Sequence, residues 1–410
     1  ACYASSGSKI LLCTVEKTAR AAKKTLTLGV LSVDNGVEQA VVDYNRASTE
    51  FRVELIEYAT ADDPTGVTGL NLALTSGQTP DLLDVYGTSV DVYARKGVLA
   101  DLSVWMDDTV NRESILPVLL PLLENDGAIY ALPRGFSVRT LFSTDALIGG
   151  RDSWSFADML SLLDENPAVT QPLARMTAET GLRILQDAAT AGCIDAVAGV
   201  CDFTLESFIG YLELLRCFPD TIPGEEDTDT LLREGRALCR YTPSMTVGQF
   251  MDLRGAYGDS LRTPGLPEIG NTVDFGHALS ITAACSDSAA AWDFIKSYVT
   301  GTSYSPYGMW SIPILSDAYA AYIDETVSYY SRAQANNTYV SGAPIHVPDD
   351  ADWVAWDTFL PSVTKASSID NAVGAIVTEE VSAYLGGART AEETAHVIDS
   401  RVKVLLAENA

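Results

Sequence analysis

The first hundred residues alternate between the hydrophobic spacing of strands and that of helices. Residues 25–32 alternate apolar with small or polar side chains, as a strand does, and a turn signal follows at 34–36. Apolar residues then recur at helical spacing, at Val37, Ala40, Val41 and Tyr44. A second alternating strand is predicted over 51–55, so the chain opens with a strand, a helix and a strand.

The same order repeats immediately downstream. A helix is predicted over 67–74, a buried strand over 80–86 and a helix over 89–96. Alternating strands and helices indicate a mostly parallel sheet with helices on its faces, and ligands of such folds bind beyond the carboxyl ends of the strands. Tyr86 and Thr88 lie at one such end.

Later elements are marked by turn and capping signals. A turn at 125–127 precedes a predicted strand over 128–133 that Pro133 ends. Ser155-x-x-Asp158 resembles a capping box, and Thr390-x-x-Glu393 matches the box that opens a last helix. Further helices are predicted around 205–212 and 373–381, so α/β structure continues to the end of the sequence.

Composition narrows the class of protein. A chain of 410 residues that are 47% hydrophobic can bury a core in about two to three compact units. Its formal net charge of -28 disfavours nucleic acids and anionic membranes as partners. The longest apolar run, 115–123, contains two prolines and is shorter than the roughly 20 residues that span a bilayer.

The seven cysteines do not decide whether the protein works in an oxidising or a reducing compartment. No pair has C-x-x-C spacing, and Cys193 with Cys201 or Cys217 with Cys239 could pair where conditions are oxidising, although buried free thiols are favoured. The sequence begins without methionine, from which we expect that a leader or an upstream region has been removed. Cys2 fits either a lipid attachment point or an ordinary cysteine.

The usual signatures of catalysis are missing from the sequence. It holds no G-x-S-x-G, G-x-x-x-x-G-K-[ST], G-x-G-x-x-G or H-E-x-x-H motif, and its three histidines are widely spread. The acidic run 225–229 lacks the glycine and terminal glutamate of a calcium loop and is interpreted as a solvated turn. We therefore expect no metal, no cofactor and no enzyme activity, while carboxylate pairs for glycoside hydrolysis remain an open alternative.

Several stretches, in order, resemble the extracellular solute-binding proteins of ABC importers, in the group that includes maltose-binding protein. They cover the chain from about Thr25 onward and comprise Val42-Asp-Tyr-Asn45, Ser76-Gly-Gln-Thr-Pro-Asp81, and residues 94–102, 129–133, 153–158, 289–296, 310–313 and 389–401. Two regions depart from the family's pattern. Residues 1–24 precede its first strand and are interpreted as the end of an upstream module, and 178–229 match no motif of the family.

This resemblance implies a type II periplasmic-binding-protein fold, in which two α/β lobes enclose a ligand cleft and crossing segments join them near Pro133, Thr272 and Pro313. Residues 25–134 with 272–312 are assigned to lobe 1, and residues 135–271 with 313–410 to lobe 2. Such a protein closes on a ligand that contacts both lobes. The implied function is capture of a small ligand, most simply a sugar or oligosaccharide, for an ABC permease.

The same resemblance implies a monomer outside the cytoplasm, at the cell surface or in the periplasm, with or without a lipid anchor. Two alternatives stay open, namely a ligand-sensing domain of a signalling system and a glycoside hydrolase with its cleft between the lobes.

A sugar site needs aromatic platforms and polar partners, because sugars carry hydroxyl edges and apolar faces. Phe275 and Trp310 could equally belong to the core, His277 could be a hydrogen-bonded structural histidine, and Arg134 could serve an interlobe ion pair. The candidates near predicted strand ends and crossings are Tyr86, Thr88, Arg134, Phe136, Tyr241, Tyr257, Phe275, His277 and Trp310.

Overall fold

A computed structural model describes residues 2–6, 9–13, 22–61, 63–195, 198–222, 224–301, 311–336, 339–340, 343–367 and 371–409. In chain order its strands are β1 Cys2–Ser6, β2 Lys9–Cys13, β3 Lys24–Val30, β4 Phe51–Glu57, β5 Leu82–Asp84, β6 Glu124–Asn125, β7 Ala128–Ile129, β8 Leu132–Pro133, β9 Gly135–Thr144, β10 Gln171–Leu173, β11 Ile194–Asp195, β12 Val200–Cys201, β13 Ala237–Met245, β14 Leu261–Arg262, β15 Thr272–Asp274, β16 Ala278–Ile281, β17 Ile312–Pro313, β18 Tyr339–Val340, β19 Ala343–Pro344 and β20 Lys365–Ala366.

Helices pack around the sheets. They are α1 Asn35–Ala47, α2 Val67–Thr75, α3 Val90–Arg95, α4 Leu120–Leu123, α5 Asp145–Ile148, α6 Phe156–Glu165, α7 Ala178–Thr190, α8 Glu206–Leu215, α9 Thr228–Arg233, α10 Val247–Tyr257, α11 Ser288–Thr300, α12 Ser316–Ala335, α13 Asp350–Phe359, α14 Asn371–Leu385 and α15 Ala391–Asn409. Within these described ranges no helix is long and apolar enough to cross a membrane.

The first lobe is built on a five-stranded sheet in the order β4-β3-β5-β16-β8. Strands β3, β4 and β5 are mutually parallel, whereas β16 runs antiparallel to both β5 and β8. Strand β8 therefore points the same way as β5. The carboxyl ends of four strands consequently lie at one edge, where β16 begins.

The second lobe is built around β9, which is the centre of a seven-stranded sheet. Its main order is β10-β13-β9-β15-β20, and β14 and β17 also pair with β9. Strands β13 and β15 run antiparallel to β9, while β10 is parallel to β13 and β20 to β15. The carboxyl ends of these four strands therefore point toward the start of β9, which follows directly on β8 of the first sheet.

Burial explains why β9 holds that position. Nine of its ten residues are buried, from Gly135 to Ser143, as expected for a strand covered on both faces. Phe136, Val138 and Phe142 pack in a core that also contains Leu26 and Leu28 of β3, and Leu141 packs in a second core with Phe156 of α6. The strand thus belongs to the two largest hydrophobic cores of the described residues.

Most sequence-derived elements are present in the structure. The helix predicted from Val37, Ala40, Val41 and Tyr44 is α1, and those four residues are its buried ones. The capping box of Ser155 and Asp158 opens α6. Thr390 and Glu393 exchange hydrogen bonds of 3.0 and 3.2 Å at the start of α15.

Three predictions need correction. The strand expected over 80–86 is shorter, Leu82–Asp84, because Gly87 turns the chain with φ of 71°. The strand expected over 128–133 is divided into β7 and β8, because β7 folds back on β6 around the 125–127 turn. The acidic run is more than a solvated turn, since Asp227 caps α9 and Asp229 binds Arg240.

Thiols are free at each cysteine whose side chain the structure describes. Cys193, Cys201 and Cys239 are buried, Cys285 is half-buried and Cys217 is exposed. Burial raises the pKa of Cys193 to about 12, so its thiol is unreactive at neutral pH.

A buried ion pair fastens α7 to the central strand of the second lobe. Arg139 of β9 donates from Nη1 to Asp187 Oδ2 and to Ser367 Oγ, and from Nε to Tyr241 Oη at 3.2 Å. Only 10% of the Arg139 side chain and 13% of the Asp187 side chain are exposed. Because little solvent reaches the pair, each partner depends on the other for its charge balance.

Replacing Arg139 by Met should lower the free energy of unfolding by about 3–5 kcal/mol, because it leaves the Asp187 carboxylate without its counter-charge. Replacing Arg183, which forms an exposed pair with Glu179, by Met should cost only about 0–1 kcal/mol. Urea denaturation at neutral pH measures both. Equal, small losses for the two variants would show that the Arg139 pair does not stabilise the second lobe.

Candidate functional site

Polar and aromatic side chains gather at the carboxyl edge of the first sheet, where the chain passes between the lobes. We call this group the His277 cluster, and it consists of Asp34, Asp84, Tyr86 and His277. Its members come from three separate stretches of sequence: the loop before α1, the end of β5 with the turn after it, and the β15–β16 connection. Parallel strands bring such ends together.

Asp84 is the buried anchor of the cluster. It is the last residue of β5, and only 2% of it is exposed. Its Oδ1 accepts the Tyr86 N–H at 3.1 Å, and its Oδ2 lies 2.6 Å from His277 Nδ1. A buried carboxylate needs such partners, and since a carboxylate only accepts, the His277 proton lies on Nδ1.

The β15–β16 connection presents His277 to this edge. Gly276 has φ of 56°, a left-handed conformation that favours glycine, and its N–H donates to Asp274 Oδ1 at 2.8 Å. From the other side, the Tyr298 hydroxyl of α11 donates to the His277 carbonyl oxygen at 2.9 Å. Both backbone and ring of His277 are thereby fixed in place.

Asp34 faces the opposite nitrogen of the same ring. It is the N-cap of α1, and its Oδ1 accepts the N–H groups of Gly36 and Val37 at 2.7 and 3.1 Å. Its Oδ2 lies 3.7 Å from His277 Nε2. This separation is too long for a hydrogen bond, so the two atoms are neighbours that do not satisfy each other.

Tyr86 supplies an open aromatic face. Half of the residue is exposed, and its ring lies 4.4 Å from the His277 ring, centroid to centroid, with an angle of 30° between the planes. Thr88 closes the turn beneath it, with its N–H and hydroxyl donating to the Val85 carbonyl at 3.0 and 2.8 Å. Thr88 thus supports the position of Tyr86.

Arg134 lies at the first crossing, between β8 and β9. Its Nε donates to the Tyr298 carbonyl oxygen at 2.8 Å, and its guanidinium stacks 4.7 Å from the centre of the Tyr298 ring. The crossing is therefore tied to α11 by a hydrogen bond and a cation–π contact.

Charges around His277 decide its protonation. Burial of the ring lowers its pKa, but the hydrogen bond and charge of Asp84, together with the charges of Asp34 and Asp274, outweigh burial and raise the pKa above the ordinary 6.5. The imidazole is thus held as a cation to higher pH than a free histidine.

The remaining candidates are placed elsewhere. Phe136 is fully buried in β9, so its side chain belongs to the core and no ligand can reach it in this structure. Tyr241 and Tyr257 lie on β13 and at the end of α10, where their hydroxyls bind Arg139 and Asp229. Phe275 is half-buried against the first core. Trp310 lies outside the described residues.

Sequence reasoning missed Asp34, Asp84 and Tyr298. Asp34 was interpreted as part of a turn signal, although a residue that starts a helix beside a strand end can also face a ligand. Asp84 carried a usable signal, because a carboxylate within the apolar strand Leu82–Asp84 must find a partner. Tyr298 is one of the buried residues of α11, so nothing in the sequence distinguishes it from a core residue. Among the described residues, no group of His, Cys, Asp or Glu is arranged to hold a metal ion.

Comparison with known proteins agrees with this architecture. The sequence profile of the bacterial extracellular solute-binding proteins matches residues 39–321, which is more than half of the chain. Among curated proteins, none matches the sequence.

Solved structures of similar fold include sugar-binding proteins. The sugar-binding protein MalE of Xanthomonas citri has a TM-score of 0.57 at 14% identity, and the match covers 94% of this chain and 98% of that one. An ABC substrate-binding protein of Listeria monocytogenes in complex with cycloalternan gives 0.54 at 14% identity, covering 94% and 100%. The GacH receptor of Streptomyces glaucescens, solved with acarbose, gives 0.52 at 16% identity, covering 94% and 99%.

The predicted fold class, two α/β lobes of the periplasmic-binding-protein type, is confirmed by these matches. With the profile match over 39–321, they also confirm the resemblance found in the sequence. This chain belongs to the family of bacterial extracellular solute-binding proteins.

Proposed function

We propose that this protein captures a sugar or oligosaccharide between its two lobes outside the cytoplasm and delivers it to an ABC permease. The observation that carries the proposal is the exposed Tyr86 ring against the charged His277 edge. An apolar sugar face can stack on the ring while hydroxyl groups meet the polar edge. In this proposal the lobes comprise 25–134 with 272–312 and 135–271 with 313–410.

The position of the cluster favours capture by closure. His277 lies in the connection from β15 of the second lobe to β16 of the first, and Arg134 lies in the connection from β8 to β9. A ligand at this edge touches the segments about which the lobes would turn. It shifts the molecule toward the closed form by the difference in its affinity for the two forms.

We infer that the protein binds without chemical turnover and acts as a monomer. The family consists of binding proteins, and three of the four carboxylate oxygens of the cluster are already engaged. Asp84 binds His277 and Tyr86, and one oxygen of Asp34 caps α1. Release to a permease then requires only that the lobes reopen.

Maltotriose, xylotriose, cellotriose and raffinose, each in excess, test the proposal by differential scanning fluorimetry. We expect at least one trisaccharide to raise the Tm, since a ligand that binds only the folded state stabilises it. Chromatography of the incubated sugar should recover it intact. Hydrolysis products would contradict the binding-protein proposal, and an unchanged Tm with all four sugars would contradict sugar capture.

Replacing Tyr86 by Ala should weaken binding of the most stabilising trisaccharide by about tenfold, because the stacking surface is lost. The Tm of the ligand-free protein should stay the same, since half of Tyr86 is exposed. Leu72, exposed on α2 of the same lobe, provides the control Leu72→Ala, for which isothermal titration calorimetry should give the wild-type Kd. Equal affinities for the two variants would remove Tyr86 from the site.

A further inference from the structure

We propose that His277, positioned by the buried Asp84, determines specificity by reading two neighbouring hydroxyl groups of the sugar together with Asp34, and that capture weakens when His277 loses its second ring proton. This inference rests on the proposed capture of a sugar and names the chemical feature that the site would recognise.

The geometry of Asp84 leaves one nitrogen of His277 for a ligand. Both Asp84 oxygens are occupied, by the Tyr86 N–H and by His277 Nδ1. The Tyr298 hydroxyl holds the His277 carbonyl, so the residue is anchored at its backbone and at one ring nitrogen. Nε2 remains directed toward Asp34, and 22% of the side chain is exposed.

Asp34 offers the complementary acceptor beside that nitrogen. Its Oδ1 is used by the N-terminus of α1, whereas Oδ2 lies 3.7 Å from Nε2, and 39% of the side chain is exposed. A donor and an acceptor therefore stand side by side, each able to take a further hydrogen bond. Two hydroxyl groups on neighbouring carbons match this arrangement, because one can accept from Nε2–H while the other donates to Oδ2.

Tyr86 completes the geometry of recognition. Its ring packs on the same imidazole at 4.4 Å and is half exposed. A sugar whose hydroxyl edge meets Nε2 and Oδ2 can thus lay an apolar face on Tyr86. A substituent that only accepts, such as an ether oxygen, would pair with Nε2–H and leave Asp34 Oδ2 without a donor.

Protonation links this recognition to pH. The charged groups that face His277 are Asp84 at the end of β5, Asp34 before α1 and Asp274 at the end of β15. On α11 the Tyr298 hydroxyl donates to the His277 carbonyl oxygen. The positive charge of Arg134 is stacked on the Tyr298 ring. Carboxylates thus dominate around the imidazole, and they favour its charged form.

Loss of the second proton removes the donor. Because Asp84 keeps the remaining proton on Nδ1, deprotonation turns Nε2 into an acceptor that faces the Asp34 carboxylate. The two atoms would then both accept. The free energy of unfolding changes with pH in the same direction as binding. The contribution of the His277–Asp84 pair to it is complete below the unfolded pKa of about 6.5 and declines as pH rises through the raised native pKa.

The test begins with the imidazole itself. The sequence has only three histidines, so NMR signals of the ring of His277 can be assigned by comparison with His277→Gln. We expect a pKa above the ordinary value in the wild type and a lower pKa in Asp84→Asn. In that variant the side-chain amide must donate to Nδ1, so ¹⁵N shifts should show the neutral ring protonated at Nε2 instead. An unchanged pKa and tautomer would mean that Asp84 does not position His277.

Calorimetry then measures binding of maltotriose, or of whichever of the four trisaccharides raises the Tm most, from about pH 5.5 to about pH 9. In the wild type the Kd should rise about tenfold as pH passes through the measured pKa of His277. His277→Gln should bind weakly with no such step. Asp84→Asn, which keeps a proton on Nε2, should bind without the step, and His396→Gln, exposed on α15, should behave as wild type.

The outcomes separate the two proposals. If no trisaccharide binds at any pH, sugar capture fails and hydroxyl reading fails with it. If a trisaccharide binds but the wild-type Kd is flat, or His277→Gln keeps the wild-type profile, the inference is overturned while sugar capture stands. If Asp84→Asn does not fold, comparing His277→Gln with His396→Gln still shows whether the pH dependence of the Kd comes from His277.

Discussion

The architecture depends on one strand. Strand β9 begins where the first sheet ends and continues as the central strand of the second sheet, where it pairs with β13, β14, β15 and β17. Its residues from Gly135 to Ser143 are buried, and it contributes to the two largest hydrophobic cores. A strand so enclosed cannot slip by one residue without turning apolar side chains the wrong way, so it fixes the register of the second lobe and the place where the lobes meet.

The candidate site follows from that constraint. Because β13 and β15 run against β9, their carboxyl ends return toward the first lobe, and the β15–β16 connection carries His277 to the edge where β5 ends at Asp84. In the proposed function, ligand recognition and lobe connection therefore share the same short segments. A ligand at this edge would contact the parts of the chain whose movement accompanies closure, and such contacts would couple binding to conformation without a separate relay.

The sequence predicted those features that depend only on neighbouring residues. The apolar stripe of α1 and the capping boxes of α6 and α15 were readable, because each depends on residues within one or two turns. Tyr86 was placed at a strand end for the same reason.

Contacts between residues that are far apart in the sequence could not be predicted from it. His277 and Asp84 are separated by 193 positions, and only the antiparallel pairing of β16 with β5 brings them together. Phe136 looked like a candidate because it follows the crossing, yet the second sheet and the core enclose it completely. Tyr241 and Tyr257 were candidates near predicted strand ends and crossings, yet the ion pairs around Arg139 and Asp229 determine where their hydroxyls lie. Burial and long-range charge decide these positions.

A crystal structure with the most stabilising trisaccharide bound is the most direct test of capture between the lobes. We predict a sugar ring stacked on Tyr86, hydroxyl groups within hydrogen-bonding distance of His277 Nε2 and Asp34 Oδ2, and further contacts from the second lobe. A sugar bound away from the His277 cluster, or held by one lobe alone, would contradict the account.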